Sequence, residues 1–172
     1  MQRGLQRSRL IGAVVGLVVV AVAAAGCSDD DAGSDTDFVN DIDAAVQAVE
    51  AELGPGQQFF EVTATAQLTN VFVATDGATA AIPYVYLDGE LGPPAPSLAA
   101  SGHTFAAEQI DIDEEAILSQ VVEEVPDATI ESLSVEGGDD SVRYVVAVRS
   151  PAGGVLDVTV SPDGAVLEVD PV

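Results

Sequence analysis

Apolar residues recur at helical spacing in two stretches of the chain. The first stretch opens at residues 41–43, and its apolar positions are four, three and four residues apart: Ile42, Val46, Val49 and Leu53. This spacing places all of them on one face of a helix. Gly54 and Pro55 come next, and this pair predicts that the helix ends there.

The second stretch begins seventy residues later with the same Asp-Ile-Asp triplet, at residues 111–113. Asp111 and Glu114 predict a capping box, in which an acid at the N-cap and a glutamate three residues on satisfy free backbone N–H groups. Pro126 predicts the end of this helix because the residue before a proline is pushed out of the helical region. The predicted apolar stripe consists of Ile117, Val121 and Val125, widened by Leu118 and Val122.

After each helix the apolar period changes to two residues, which is typical of strands. The change is clearest where Val142, Tyr144, Val146 and Val148 alternate with Arg143, Val145, Ala147 and Arg149. The pattern predicts strands at residues 59–65, 68–75, 79–87, 131–135, 142–149, 155–160 and 165–169. Pro83 interrupts the third of these, so we expect it at a sheet edge or a bulge. The predicted fold class is α+β: two tandem units, each with one helix packed on a three- to four-stranded antiparallel sheet.

Composition divides the chain into five segments. A leader occupies residues 1–26, an acidic tether 27–37, a first helix-plus-sheet unit 38–89, a Pro/Ala/Gly linker 90–102 and a second unit 103–172. The tether carries five aspartates and no large apolar residue, which is typical of a disordered segment. Its aspartates do not match the spacing of a calcium-binding loop, so no metal site is predicted there.

The leader has the build of a secretory signal peptide. Three arginines precede an unbroken run of small or apolar residues at positions 10–26, which closes in Ala-Ala-Gly before Cys27. These last residues resemble the lipobox of bacterial lipoproteins. The resemblance implies cleavage between Gly26 and Cys27 and attachment of a diacylglyceryl group, with acyl chains such as palmitate, to the Cys27 thiol. It also implies a protein anchored at the outer face of the cytoplasmic membrane.

Three other interpretations of Cys27 fit the residues less well. A buried structural thiol has no core to enter between an apolar run and Ser-Asp-Asp-Asp. An uncleaved transmembrane helix would rest on seventeen residues, at the lower limit for crossing about 30 Å of hydrocarbon, and no basic stop-transfer flank follows. A cleaved but unlipidated signal peptide does not require a cysteine at this position.

Cleavage would leave a strongly acidic protein. The mature chain keeps all 29 acidic residues against two basic ones, Arg143 and Arg149. This balance argues against binding to nucleic acid or to an anionic lipid surface by electrostatics. It suits a cationic partner, hydrated divalent ions or high external salt, and it would equally keep a tethered protein soluble. Since Cys27 is the only cysteine, the domain has no disulfide and must be held together by apolar burial.

Residues 111–169 resemble a PepSY-type domain. The resemblance rests on the helix with its proline stop, on the segments SVRYVVAVRSPAGG and LDVTVSPDGAVLEV, and on the Asp163-Gly164 turn before a closing strand. Asp88-Gly89 is a weaker counterpart of that turn in the first unit. The tandem arrangement also looks like the beta-lactamase inhibitor protein and like small lipoproteins of bacterial envelope assembly. These families imply extracytoplasmic binding, modulation of peptidases or envelope interactions, and they supply no catalytic motif.

Candidate catalytic chemistry is sparse in this chain. His103 is the single histidine, whereas metal sites and hydrolytic triads bring several such groups together. Carboxylate pairs such as Glu123-Glu124 are more typical of a solvated surface than of a glycosidase. The sequence therefore predicts a protein that is not an enzyme and that holds neither a metal nor a cofactor.

Arg143 and Arg149 lie on the same strand face in the predicted sheet, six residues apart. Two interpretations are open. Both residues pair with neighbouring carboxylates on the solvent face of the sheet, or their guanidinium groups hold an anionic group of a partner. The second interpretation makes Arg143 and Arg149 candidate partner-binding residues.

The leading functional hypothesis is a membrane-anchored, non-enzymatic module that binds or modulates a peptidase or another protein or component of the cell envelope. It would contact this partner through the exposed sheet face or through the Pro-rich linker. The alternative is a carrier that holds a lipid or a small apolar ligand between helix and sheet. The helix stripes are rich in valine and alanine, and a cavity left by these small side chains would favour this alternative.

Overall fold

The computed structural model describes residues 37–139 and 141–172. Helix α1 spans Phe38–Leu53, helix α2 spans Glu114–Glu124, and a 3₁₀ turn spans Ala107–Gln109. The strands are β1 Gln58–Thr65, β2 Thr69–Thr75, β3 Ala80–Leu87, β4 Glu90–Leu91, β5 Leu98–Ala99, β6 Phe105–Ala106, β7 Thr129–Gly137, β8 Val142–Arg149, β9 Val155–Val160 and β10 Val166–Pro171. Gly26, Cys27 and the tether before Asp37 lie outside the described residues.

All ten strands belong to one antiparallel sheet. The order along it is β10-β9-β8-β7-β1-β2-β3-β4, while β5 pairs with β3 and β6 pairs with β1. Strands β1 and β7, each the first long strand after a helix, pair with each other over residues 61–65 and 132–136. The sheet therefore runs without interruption through both halves of the chain. The prediction of two tandem units with separate small sheets is wrong.

The junction between β1 and β7 has a physical reason. In separate units each of these strands would present a row of unpaired N–H and C=O groups at a sheet edge. Joining them satisfies both rows, and it places the Thr63 and Ser134 hydroxyl oxygens 2.8 Å apart across the junction. Alternation along a strand assigns each residue to a face but does not name the partner strand, so the sequence pattern did not reveal the junction.

The core lies between one face of the sheet and the two helices, since α2 contributes its buried residues Ile117 and Val121 to the same cluster. Helix α1 packs on β1, β2, β4 and β7, and the predicted stripe residues Ile42, Val46 and Val49 are buried there. Leu53, the fourth stripe residue, is 43% exposed. The helix ends as predicted at Gly54, whose φ of 97° suits glycine. On the sheet, the core side chains include Val62, Val71, Tyr84, Leu133, Val135, Tyr144 and Val146.

Helix α2 begins later than the predicted capping box. Its N-cap is Asp113, whose carboxylate accepts a hydrogen bond from the Ala116 amide at 3.0 Å. The prediction of Asp111 at the N-cap is therefore wrong. The Glu114 carboxylate instead accepts from the backbone N–H groups of Phe38, at 3.2 Å, and Val39, at 3.4 Å. These N–H groups lie in the first turn of α1 and have no acceptor within their own helix, so Glu114 of α2 caps α1.

The position of Glu114 predicts a pH dependence. Burial raises the pKa of the Glu114 carboxyl, the two backbone hydrogen bonds oppose this, and the charge of Asp37 adds to the rise. A carboxyl whose pKa is higher in the folded state adds stability below its unfolded pKa and loses it as the pH rises through the folded pKa. We therefore expect the free energy of unfolding of the wild type to fall relative to that of Glu114→Gln between about pH 4 and pH 7.

Urea denaturation of both proteins at the two pH values measures this difference. Glu114→Asp is the control, because it keeps a titrating carboxylate but shortens the side chain that reaches α1. A gap between wild type and Glu114→Gln that stays constant with pH would contradict the expected coupling.

Tyr144 fixes the segment before α2 to the sheet. Its side chain is fully buried, and its hydroxyl accepts from the Asp111 amide and donates to the Asp111 carbonyl oxygen, each at 3.0 Å.

Tyr144→Phe keeps the ring but leaves both backbone groups without this partner. We expect it to lower the free energy of unfolding by about 1–3 kcal/mol, measured by urea denaturation. The control is Tyr86→Phe, which removes a hydroxyl from a half-buried ring of the same sheet; equal losses in both variants would contradict the role of Asp111.

The predicted linker at residues 90–102 runs along the outer edge of β3. Strands β4 and β5 pair with the two ends of β3. Between them the Gly92 N–H donates to the Val85 carbonyl oxygen at 2.8 Å, and the Ala95 N–H donates to that of Pro83 at 2.9 Å. The prediction of Pro83 at an edge is confirmed. On its outer side β3 pairs only with the short strands β4 and β5 and, between them, with single residues of the linker, so the missing N–H of Pro83 is tolerated there.

We call residues 90–100 the proline strap. Its three prolines, Pro93, Pro94 and Pro96, prevent continuous pairing with β3 because they have no N–H to donate. The strap nevertheless covers most of the edge that β3 would otherwise expose, and such coverage protects a sheet from pairing with another chain. It also forms one wall of the largest groove that we describe.

Candidate binding groove

A groove of about 700 Å³ opens between the C-terminal half of α1 and the proline strap. Ligand-binding sites in proteins typically have volumes of about 300–1,000 Å³. The groove is therefore large enough for a small ligand or for a few side chains of a partner. Its lining residues are Ala48, Ala51, Glu52 and Leu53 of α1, Tyr84 of β3, Leu91 of β4, and Gly92, Pro93 and Pro94 of the strap.

Small side chains on α1 make room for the groove. Ala48 and Ala51 line it, whereas the buried face of the same helix carries phenylalanine, isoleucine and valine in addition to Ala45. Protein interiors are close-packed, so a methyl group leaves space that a larger side chain would fill. Leu53 is not part of the core, and its exposed side chain lines the groove.

Both walls of the groove are held in place. In the strap, the hydrogen bonds of Gly92 and Ala95 to β3 flank Pro93 and Pro94, whose rings fix the backbone angle φ. At the end of α1, the Glu50 carboxylate accepts from the Gly56 N–H at 2.8 Å and from the next N–H in the chain. A preformed site loses less conformational entropy when it binds than a flexible one does.

Tyr84 brings a polar group to this mostly apolar groove. Its side chain is only 5% exposed, and its hydroxyl forms no hydrogen bond within the part of the chain that the structure describes. No fully buried side-chain oxygen or nitrogen in that part lacks a partner. The hydroxyl therefore belongs to the small exposed fraction of Tyr84, a residue that lines the groove.

Glu52 is the charged residue of the groove lining. It is exposed, and it makes no ion pair among the described residues, where the pairs formed are those of His103, Arg143 and Arg149. The groove thus combines apolar walls with one partly exposed hydroxyl and one carboxylate that makes no ion pair among the described residues. This combination suits non-covalent recognition, because polar groups in such sites orient a ligand whose apolar part fills the space.

The two arginines lie outside the groove. Arg143 and Arg149 are exposed on the same face of β8, as predicted. Arg143 donates through Nε to the Glu136 carboxylate at 3.2 Å, and Arg149 donates to Glu131 at 2.6 Å. Pairing with carboxylates of β7 was the first of the two interpretations of these residues, and the structure bears it out. Their role in partner binding stays a prediction.

His103 lies near the start of the second half of the chain. Its Nε2 is 2.8 Å from a carboxylate oxygen of Asp139, and both side chains are largely exposed. Within residues 37–139 and 141–172 no group of three or more histidine, cysteine or acidic side chains is placed to hold a metal ion. The lipid attachment and cleavage residues, Cys27 and Gly26, lie outside the described part.

The sequence predicts the Pro-rich linker as a candidate contact surface, and the strap does form one wall of the groove. Neither Tyr84 nor Glu52 is predicted from the sequence. The available signal was the pair Ala48 and Ala51, small residues beside the apolar stripe of α1. This signal is weak, because alanine is also the best helix former and is common on exposed helix faces.

Neither helix in the described part of the chain is long and apolar enough to cross a membrane.

No protein-family model matches the chain, and no curated protein matches it either. In fold, the chain is similar to the crystal structure of a protein described as a candidate lipoprotein (CD1622) from Clostridium difficile 630. The TM-score is 0.51 and the identity 11%, over 74% of this chain and 90% of the other. At this identity the likeness establishes a shared fold and nothing more.

Proposed function

We propose that this protein is a lipid-anchored lipoprotein at the outer face of the cytoplasmic membrane, and that it acts as a non-enzymatic binding module. The groove between α1 and the proline strap is its binding surface. The observation that carries the proposal is an open, mostly apolar groove of about 700 Å³, lined by Tyr84, whose hydroxyl has no hydrogen-bond partner among the described residues. The lipobox-like sequence before Cys27 supports the anchor, and the shared fold with a candidate lipoprotein is in keeping with it.

The proposed anchor limits where the partner is found. Ten residues separate Cys27 from the first residue of α1. Even a fully extended chain of this length spans at most about 40 Å. A module held this close to the bilayer would meet membrane proteins, cell-wall components and exported proteins, and it would present a strongly acidic surface to all of them.

A carrier of lipid or of another small apolar ligand is the alternative function. The space between α1 and the centre of the sheet is filled by the core side chains, including Ile42, Val49 and Tyr144, all of them fully buried. A ligand between helix and sheet would therefore have to use the open groove at the end of α1. The two functions share one site, and they differ in what occupies it.

Site-specific photocrosslinking in living cells tests the proposal. A benzophenone amino acid replaces Leu53 in the groove, and the control places it at Val122 on α2; the two side chains have similar exposure, 43% and 49%. We expect a discrete protein adduct from position 53 that is absent from position 122. Lipid adducts at position 53 without a protein adduct would favour the carrier, and equal adducts at both positions would contradict a binding role of the groove.

A further inference from the structure

The hydroxyl of Tyr84, which has no hydrogen-bond partner among the described residues, indicates what kind of ligand the groove accepts. Tyr84 is only 5% exposed and its hydroxyl belongs to that exposed fraction, so a ligand that displaces water from the hydroxyl must offer it a hydrogen bond in return. A tyrosine hydroxyl that becomes buried usually has such a partner. A peptide backbone offers both a donor and an acceptor at every residue except proline. The hydroxyl therefore suits a backbone amide of an extended segment.

The walls indicate an apolar side chain beside this backbone contact. Ala48 and Ala51 face the groove from α1, and Leu91 and Pro93 line it from β4 and the strap. An aliphatic side chain placed between them would remove apolar surface from water on both sides, which favours binding in proportion to the area buried.

Charge selects among apolar ligands. Glu52 is the charged lining residue, and the chain has 29 acidic against five basic residues. An anionic head group, such as a fatty-acid carboxylate or a lipid phosphate, would be repelled by this surface and would meet no cation in the groove. A lysine or arginine would be attracted by the overall field and could pair with the Glu52 carboxylate.

We infer that the groove binds an extended, basic and apolar segment of a partner protein. An aliphatic side chain of the segment lies between α1 and the strap, a backbone amide bonds to the Tyr84 hydroxyl, and a neighbouring lysine or arginine pairs with Glu52. This inference rests on the proposed binding function and adds the chemical class of the ligand.

The test uses the full chain in phosphatidylcholine nanodiscs and three fluorescent peptides of equal length. The first alternates lysine and leucine, the second replaces lysine by glutamate, and the third replaces leucine by serine. We expect the lysine–leucine peptide to bind most tightly. Glu52→Gln should weaken it about two- to fivefold, as for an exposed ion pair, and Tyr84→Phe about three- to tenfold, as for one hydrogen bond.

Glu124→Gln is the matched control for Glu52→Gln, since Glu124 is an exposed glutamate in the last turn of α2, outside the groove. It should leave the affinity unchanged. Thermal unfolding of Tyr84→Phe verifies that the variant is folded before its affinity is compared.

Three results would overturn the inference. They are equal binding of the lysine–serine peptide, equal binding of the glutamate–leucine peptide, and an equal loss from Glu124→Gln, which would mean attraction by overall charge alone. If no peptide binds while position 53 still crosslinks a protein in cells, the ligand class is wrong and the binding function stands. If position 53 also fails to crosslink, both are wrong.

Discussion

Gly164→Ala is expected to lower the free energy of unfolding by roughly 2–4 kcal/mol, because a strained backbone angle and a steric clash would both occur at this position. Gly164 has a φ of +87°, a region that residues with a Cβ rarely adopt. It is also buried, and a Cβ there would lie 2.7 Å from the carbonyl oxygen of Ala116 in α2. The turn between β9 and β10 would therefore have to move away from the helix that packs on it.

Gly153→Ala separates the two costs. Gly153 has a similar φ of +92°, but a Cβ at this position would meet no atom within 4 Å. We expect a loss of only about 1 kcal/mol there, from the backbone angle alone. Urea denaturation of the two variants gives the comparison, and equal losses would mean that the contact between the turn and α2 does not contribute to stability.

Cys27→Ala is expected to abolish lipid attachment. It removes the only thiol in the chain, and with it the cysteine that the lipobox resemblance requires for both acylation and cleavage. The variant should be retained as an uncleaved precursor or released after cleavage by a general signal peptidase. Stable membrane attachment takes two acyl chains, since a single chain binds only marginally. Loss of the anchor should therefore change where the protein is found.

Metabolic labelling with a clickable fatty acid measures this effect, followed by fractionation of membranes. Ser28→Ala is the control, because it changes the next residue and keeps the cysteine. Label in Cys27→Ala as strong as in the parent would contradict the lipobox interpretation. The fold of the described residues should be unaffected, since Phe38 is the first residue of their apolar core.

The secondary structure could be predicted because its signals are local. Val142, Tyr144, Val146 and Val148 alternate with exposed or half-buried neighbours and define β8 without knowledge of its partners. The spacing of Ile42, Val46 and Val49 defines the buried face of α1. The turns after these elements carry glycine or proline where the backbone requires them, and the structure has them there.

The assembly of these elements could not be predicted in the same way. Whether β1 pairs with β7 or ends a separate sheet depends on which edges meet, and both arrangements have the same alternation. The cap that Glu114 gives to α1 spans 76 residues of sequence, so it carries no local signal. Asp111 and Glu114 matched a capping box in spacing, yet the helix begins two residues later.

The candidate groove was foreseen only in part. Prolines in the linker marked a segment that cannot continue a sheet, and this predicted a contact surface without its geometry. Tyr84 belongs to an ordinary strand pattern, and the absence of a hydrogen-bond partner for its hydroxyl among the described residues follows from what surrounds it in three dimensions. Leu53 continues the helical stripe in sequence, but in the structure its side chain is 43% exposed and lines the groove.

We expect binding to occur in the groove rather than on the open face of the sheet. Methyl NMR of the full chain in nanodiscs, titrated with the lysine–leucine peptide, compares the two surfaces in one experiment. Binding in the groove predicts shifts of the Ala48, Ala51 and Leu91 methyl signals. Shifts of Val145 and Ala147, which lie between the two arginines on the opposite face, with an unchanged groove, would contradict it.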